Sequence, residues 1–263
     1  TLARLLTYME GGAQYNALNF AVGYWEASGC NYTGASSVVS AFLCPSSARV
    51  SDQRDGADPA DTISTAKGVG YGYTDYGPTC YTDINPLGVA VPEYAGTATP
   101  YRYKGARVDG LLKARCTRIA EATDGTSNTI AFGEDAGRDE RFASPYTQVS
   151  ASGGDLRGLG PFSQTAWRRY WRWVEPDNAY GVSGSPNNKF RPMNETNTYP
   201  TGNLVTAGNN AGANDELFSF HPGGVNVLFG DGSVRFLKDS VNLATLRGLV
   251  SLKGGEVLSA DAY

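Results

Sequence analysis

The stretch from Phe218 to Leu237, FSFHPGGVNVLFGDGSVRFL, holds the only histidine of the chain, His221, ten residues ahead of Asp231. An imidazole paired with a carboxylate is the activating half of a nucleophilic triad, and Ser219 and Ser233 stand close by in sequence. Neither serine lies in a G-x-S-x-G elbow. The run between the two groups also keeps them apart, because the steps from Gly224 to Gly230 span roughly 20 Å at ~3.3 Å each. His221 and Asp231 therefore belong at opposite ends of a hairpin. Pro222-Gly223-Gly224 serves to turn the chain into the strand, and His221 is expected to make a structural hydrogen bond to a neighbouring loop.

Other side chains offer other chemistry. Asp52, Asp55, Asp58 and Asp61 recur at every third position, but without the alternate spacing and twelfth-position Glu of an EF-hand, so a solvated acidic loop is expected there. Asp124 and Glu134 are candidate calcium or hydrogen-bond ligands, and a capped turn at Asp124-Gly125 accounts for the first equally well. The four cysteines, Cys30, Cys44, Cys80 and Cys116, include no CxxC pair, and a zinc site would need all four thiolates from well-separated loops. Two disulfides, Cys30 with Cys44 and Cys80 with Cys116 among three possible pairings, are preferred to unpaired buried thiols. In AWRRYWRWVEPDNAYG, Trp167, Tyr170, Trp171 and Trp173 alternate with arginines, and Tyr71, Tyr73, Tyr76 and Tyr81 form a second aromatic run. Such clusters are core, or they stack on sugar rings or a neighbouring subunit. The 26 acidic residues leave a two-carboxylate glycosidase open, whereas Gly158-Leu159-Gly160 lacks the third glycine of a dinucleotide fingerprint.

The elements that must position these residues read as follows. Leu2, Leu5, Leu6 and Met9 have helical spacing with Gly11-Gly12 as a stop. Tyr15 to Trp25 covers that helix or begins a sheet. Asp109-Gly110 and Asp124-Gly125 are turns, with Arg118 to Ala122 and Asn128 to Phe132 as strands around the second. Val225 to Phe229 and Ser233 to Leu237 form a hairpin about Asp231-Gly232; in that register Phe229 faces Val234 and Val227 faces Phe236, giving one apolar face. A three-residue Gly-Asp-Gly loop would set Val227 opposite Arg235 and mix the faces. Ser240 caps a helix over Val241 to Leu252, and Glu256 to Ser259 suits a final strand. Gly181 to Asp215 reads as a long connection packed by its neighbours.

The spacing from His221 to Asp231-Gly232 resembles the H-X9-DG signature of the bacterial prepilin-type processing-associated family, a family of unknown function with type IV pilin-like N-termini. Phe42-Leu43-Cys44-Pro45-Ser46 is similar to its FLCPS block. Asp124-Gly125-Thr126-Ser127-Asn128-Thr129 with Gly133-Glu134 is similar to its DGTSNT and GE block. Leu5 to Glu10 with Tyr15 to Phe20 resembles its opening, and Gly254-Gly255-Glu256-Val257 its close. The resemblance implies that His221, Pro222, Gly223, Gly224, Asp231, Gly232, Asp124, Gly125, Asn128 and Glu134 are structural motif positions. It also implies a long apolar helix upstream of Thr1, which would carry any membrane contact.

Composition sets the remaining bounds. Charged residues make up only 18%, against 33 glycines and 16 tyrosines, which suits a loop-rich β protein of the exported kind. A net charge of -4 without a basic run speaks against nucleic acid. No apolar run approaches the roughly 20 residues that span a bilayer. The resemblance implies an α+β, pilin-like fold, one body over 1–263: a helix end and lead-in over 1–20, a loop-rich β region over 21–216, and the hairpin, helix and final strand over 217–263. The resemblance implies a non-catalytic structural subunit of an exported pilin-like or pseudopilin-like surface filament or secretion-associated assembly, at the cell surface or extracellular, with copies of itself as partners and no cofactor unless calcium. A carbohydrate- or protein-binding module using Tyr71, Tyr73, Tyr76, Trp167, Trp171 and Trp173 is the alternative, and a glycan-active hydrolase the second.

Overall fold

The computed structural model describes residues 2–24, 29–47, 70–83, 107–113, 116–136, 172–175, 180–182, 186–187, 217–256, 258 and 263. They fall into two compact units, one of Thr1–Tyr76 with Phe162–Asn178 and one of Gly77–Pro161 with Ala179–Tyr263. The acidic run Asp52 to Asp61, Trp167 and Trp171 lie outside the described residues.

The first unit is built on short helical turns. Helix α1 (Leu2–Leu5) tightens into a 3-10 turn over Leu6–Tyr8. The stop falls where the apolar spacing ends, with Glu10 at φ 58° and the Gly11 N–H bonded to the Leu6 carbonyl at 2.8 Å. Leu2 and Leu6 are buried, but Met9 is 41% exposed, because the 3-10 turn advances side chains by a third of a circle and rotates Met9 off the apolar face. The segment after it forms no strand among its described residues. Helix α2 (Gly12–Asn16) is followed by a loop that Asn31 clamps: its Oδ1 accepts from the Asn19 N–H at 2.6 Å and its Nδ2 donates to the Asn19 carbonyl at 3.0 Å. Helix α3 (Tyr32–Ala35) follows directly.

The interior of this unit is aromatic and charged. Trp173 is fully buried with its Nε1 donating to the Ser37 carbonyl at 2.9 Å, and its N–H bonds the Gly72 carbonyl at 3.1 Å. A Cβ on Gly72 would run into the Ser37 carbonyl oxygen, so the glycine permits this close approach. The Arg172 guanidinium lies 4.4 Å over the Tyr71 ring and donates to the Tyr24 hydroxyl at 3.2 Å, while that hydroxyl donates to Glu175 at 2.6 Å. Burial, with the Glu175 charge added to it and Arg172 opposing, pushes the Tyr24 hydroxyl well above its ordinary range. Arg172 is therefore as interior as Trp173. Arg172 and Trp173, neighbours in the interleaved run, are thus both held inside.

The second unit is α+β, a sheet with a helix packed on it. Its strands are β1 (Tyr76–Asp83), β2 (Arg107–Asp109), β3 (Ile130–Glu134), β4 (Tyr180–Gly181), β5 (Gly224–Phe229) and β6 (Val234–Lys238). They run in the order β2-β1-β3-β5-β6, with β4 parallel beside β1 and the β1/β2, β3/β5 and β5/β6 pairs antiparallel. Helix α4 (Leu243–Val250) presents Leu246, Leu249 and Val250 to Ile130, Val225, Val227, Phe229 and Leu237. Each such buried side chain stabilises by ~1.5–3 kcal/mol. The α4 cap is Asn242, whose Oδ1 accepts from the N–H groups of Ala244 at 2.9 Å and Thr245 at 3.3 Å. Ser240 sits two residues too early to do so.

Two strand expectations are corrected. Arg118 to Ala122 holds a 3-10 turn at Ile119–Glu121, fixed because the Glu121 carboxylate takes the Arg118 N–H at 3.0 Å and the Lys113 ammonium at 2.9 Å. These same donors, the Arg118 N–H first, hold the Glu121 carboxyl below its usual range. Glu256 and Leu258 are not in a strand.

The hairpin also differs in register. Leu228 pairs with Val234 and Val227 with Arg235, so the loop is Gly230-Asp231-Gly232. The Gly232 N–H bonds the Phe229 carbonyl at 3.0 Å and Gly232 takes φ 88°, a tight turn closed by a left-handed glycine. Asp231 Oδ1 accepts from the Ser233 N–H at 2.8 Å and the Ser233 hydroxyl at 2.7 Å. The mixed face is tolerated because Arg235 lies 4.6 Å over the buried Phe229 ring and donates to the Tyr263 hydroxyl at 2.8 Å. Val234 and Phe236 consequently point outward.

Candidate functional site

The residues singled out in the sequence converge at two points of the second unit. The first is the Glu134 carboxylate at the end of β3, which is almost wholly buried. Ile130 pairs with Phe229, but Phe132 pairs with Leu228, and this one-residue shift in register carries Glu134 opposite Asn226 instead of Val225. Glu134 Oε2 then accepts from the Asn226 N–H at 2.7 Å, and the Asn226 side-chain amide lies 3.3 Å from both carboxylate oxygens. The His221 Nε2 stands 3.2 Å from Oε1 on the open side, with 27% of its side chain exposed.

His221 is delivered by a loop with few degrees of freedom. Phe218 is bonded on both sides to the end of β3, its N–H to the Glu134 carbonyl and its carbonyl to the Ala136 N–H, each at 2.9 Å. The Ser219 hydroxyl donates to the Gly224 carbonyl at 2.7 Å and accepts from the His221 N–H at 3.1 Å. Gly223 turns at φ 84°, and a Cβ on Gly224 would strike the Leu237 carbonyl, so Pro222-Gly223-Gly224 makes a turn no bulkier sequence fits.

Asn187 holds the same loop from outside it. Its N–H bonds the Leu217 carbonyl at 2.9 Å, its Nδ2 the Gly224 carbonyl at 2.8 Å, and its Oδ1 accepts from the Ser219 N–H at 2.7 Å. It stands at φ 51°, a left-handed conformation that asparagine tolerates. Neither Asn187 nor Asn226 was singled out in the sequence. The Pro186-Asn187 pair was the available turn signal for the first, and the register shift that recruits the second leaves none.

The second point is Asp124. Its Oδ2 accepts from the Gly254 N–H at 2.6 Å and its Oδ1 from the Gly255 N–H at 3.0 Å, which ties the DGTSNT block to the closing Gly-Gly. Gly125 turns at φ 94°, and the Asn128 amide donates to the Asp124 carbonyl at 3.0 Å. The two carboxylates considered for calcium thus serve different contacts. Asp124 is in no cluster of three or more His, Cys, Asp or Glu ligand atoms among the described residues. At Asp124 both carboxylate oxygens take backbone N–H donors, and a cation there would meet those hydrogens head-on.

The imidazole therefore faces Glu134 on a strand, and Asp231 sits at the far turn bonded to Ser233. Ser219 has both hydroxyl roles filled by the backbone, so among the described residues the imidazole is held against a carboxylate with no activated hydroxyl beside it. Of the aromatic contact candidates, Tyr71, Tyr73 and Trp173 are interior and Tyr76 is half-buried. No disulfide joins the cysteines. Cys44 is buried, with its N–H donating to Asp75 at 2.7 Å, whereas Cys30 is exposed; Cys80 lies within β1 and Cys116 is exposed. Each expected bridge would have to link an outer position to a held inner one.

A family profile described as "Protein of unknown function (DUF1559)" matches residues 2–244. The chain belongs to this family, the prepilin-type family that carries the H-X9-DG motif. No curated protein and no solved structure matches it.

Proposed function

We propose that the chain is the body of a pilin-like or pseudopilin-like subunit of an exported surface filament or secretion-associated assembly, with no catalytic role. The observation that carries this reading is what the motif residues bind. His221 and Asn226 meet Glu134, and Asp124 meets Gly254 and Gly255, so the blocks are spent on fixing hairpin, strand and chain end to one another. Residues selected for turnover would instead present unfilled polar groups to a cleft. Family membership supports the same reading, since the prepilin-type resemblance supplies an apolar helix as the element that packs between copies. Among the described residues, no helix is long and apolar enough to cross a membrane. The low net charge without a basic run favours protein partners over nucleic acid.

Electron microscopy of the protein isolated intact from its native source tests this. Regular fibres or arrays that bind antibody to this chain are expected. Isolated particles only, or a hydrolytic activity abolished by His221→Ala in a folded protein, would overturn it.

A further inference from the structure

Strand β6 ends the path of the sheet, and among the described residues no strand pairs with its outer side. The bonds from the Phe229 N–H to the Ser233 carbonyl and from the Asp239 N–H to the Gly223 carbonyl, each 2.9 Å, fix the alternation of the β5/β6 ladder. Residues 233, 235, 237 and 239 face β5 with their backbone groups, and Val234, Phe236 and Lys238 direct theirs away from it. Val234 is 66% and Phe236 46% exposed, large apolar side chains directly beside those backbone groups. Among the described residues the carboxylate of Asp239 has no hydrogen bond or ion pair, and neither Arg235 nor Lys238 has a carboxylate partner. A row of unpaired donors and acceptors is a template for another strand.

We propose that β6 pairs antiparallel with β6 of a second copy, with Leu237 on the two-fold axis. The strand is complementary to itself in that register and not in the neighbouring one. With Leu237 at the centre, Arg235 stands opposite the second copy's Asp239, and Phe236 opposite its Lys238, twice over by symmetry. The outward backbone groups of Phe236 and Lys238 then bond across the axis in the close pairs of an antiparallel ladder. Centring on Phe236 would set Arg235 opposite Leu237 and Asp239 opposite Ser233, so that neither meets an opposite charge. The other charged group described near this end, the Asp231 carboxylate, is hydrogen-bonded to Ser233 in the turn and feels the Arg235 charge without forming an ion pair with it. One short strand buries far less than the ~1,200–2,000 Å² of a stable interface, so the free pair is weak and gains strength where copies are already held together. This deepens the assembly reading by naming a contact between subunits, but the choice of partner rests on the strand's own self-complementarity.

Sedimentation velocity of the chain from micromolar to about millimolar concentration tests it. Reversible dimerisation is expected. Phe236→Lys should weaken it at least ~10-fold by removing an apolar contact and opposing the second copy's Lys238. Asp239→Lys should weaken it several-fold, whereas Ile119→Lys, at a fully separate exposed apolar residue, should leave it unchanged. Circular dichroism melts establish that each variant is folded. A chain that stays monomeric throughout, or dimers indifferent to Phe236→Lys, would overturn the proposal, and capture of an unrelated extended peptide by a monomeric chain would do the same. None of these outcomes bears on whether the intact protein forms fibres, which microscopy decides separately.

Discussion

At the scale of residues, the Glu134 carboxylate is the point on which most depends, since it is buried and takes three N–H donors from two residues in addition to its ladder contacts. Removing it strands the Asn226 N–H in the interior. Glu134→Ala should therefore cost ~2–3 kcal/mol in denaturant unfolding, and His221→Ala only ~1–2, because the carboxylate keeps its Asn226 donors when the imidazole is removed. In a double-mutant cycle the two should be strongly non-additive; simple additivity would show that the pair does not interact. Glu256 gives a pH test. Burial first, then the Asp124 charge, raises its carboxyl above the ordinary range. A raised carboxyl stabilises the fold below its unfolded pKa and loses that contribution as pH rises through the folded value. Glu256→Gln should thus raise the melting temperature at neutral pH and leave it unchanged in acid, and a lowered Tm at pH 7 would contradict the assignment. The thiols are distinguished by depth: a maleimide should label Cys30 and Cys116 rapidly in native protein and Cys44 only on unfolding, with no reductant needed. Slow labelling at all four would place disulfides back in the molecule.

At the scale of elements, the helix cap separates two readings cleanly. Asn242→Ala should lower stability by ~1 kcal/mol and Ser240→Ala by almost nothing, measured side by side in urea. Equal effects would move the start of α4. The same helix shows what was legible. Leu246, Leu249 and Val250 announce their buried face through spacing alone, whereas the choice between Ser240 and Asn242 depends on where Val241 must be buried. Hairpin existence was legible from Asp231-Gly232, but register was not. Pairing was decided by the Arg235 stack on Phe229 and the bonds from the loop back to the β3 approach, where the Gly230 N–H meets Thr129 and the Asp231 N–H meets Thr126. Those partners lie about a hundred residues away, beyond any local pattern. Motif residues were legible as a set, yet which of them meet was not, since His221 and Glu134 are paired only by a register shift in β3.

At the scale of the whole molecule, each unit is closed by a late segment of chain. Tyr24 meets Glu175, 151 residues on, and Asp124 meets Gly254 and Gly255, 130 and 131 residues on. Deleting residues 217–263 removes β5, β6, α4 and every donor to Glu134, and should abolish cooperative unfolding of the second unit by calorimetry. A retained sharp transition would mean that β1 to β4 suffice. The clasp of Asp124 on the closing glycines also sets a schedule. A ribosome releases a chain from its first residue onward at ~5–20 residues per second, and pairings this distant in sequence form slowly even afterwards. Synthesis of the second unit therefore runs for many seconds with β3 made, β5 absent and the Glu134 carboxylate still in water. Until Gly254 and Gly255 emerge, the second unit has no clasp for Asp124, whereas the first unit has had its closing residue, Glu175, since about eighty residues earlier.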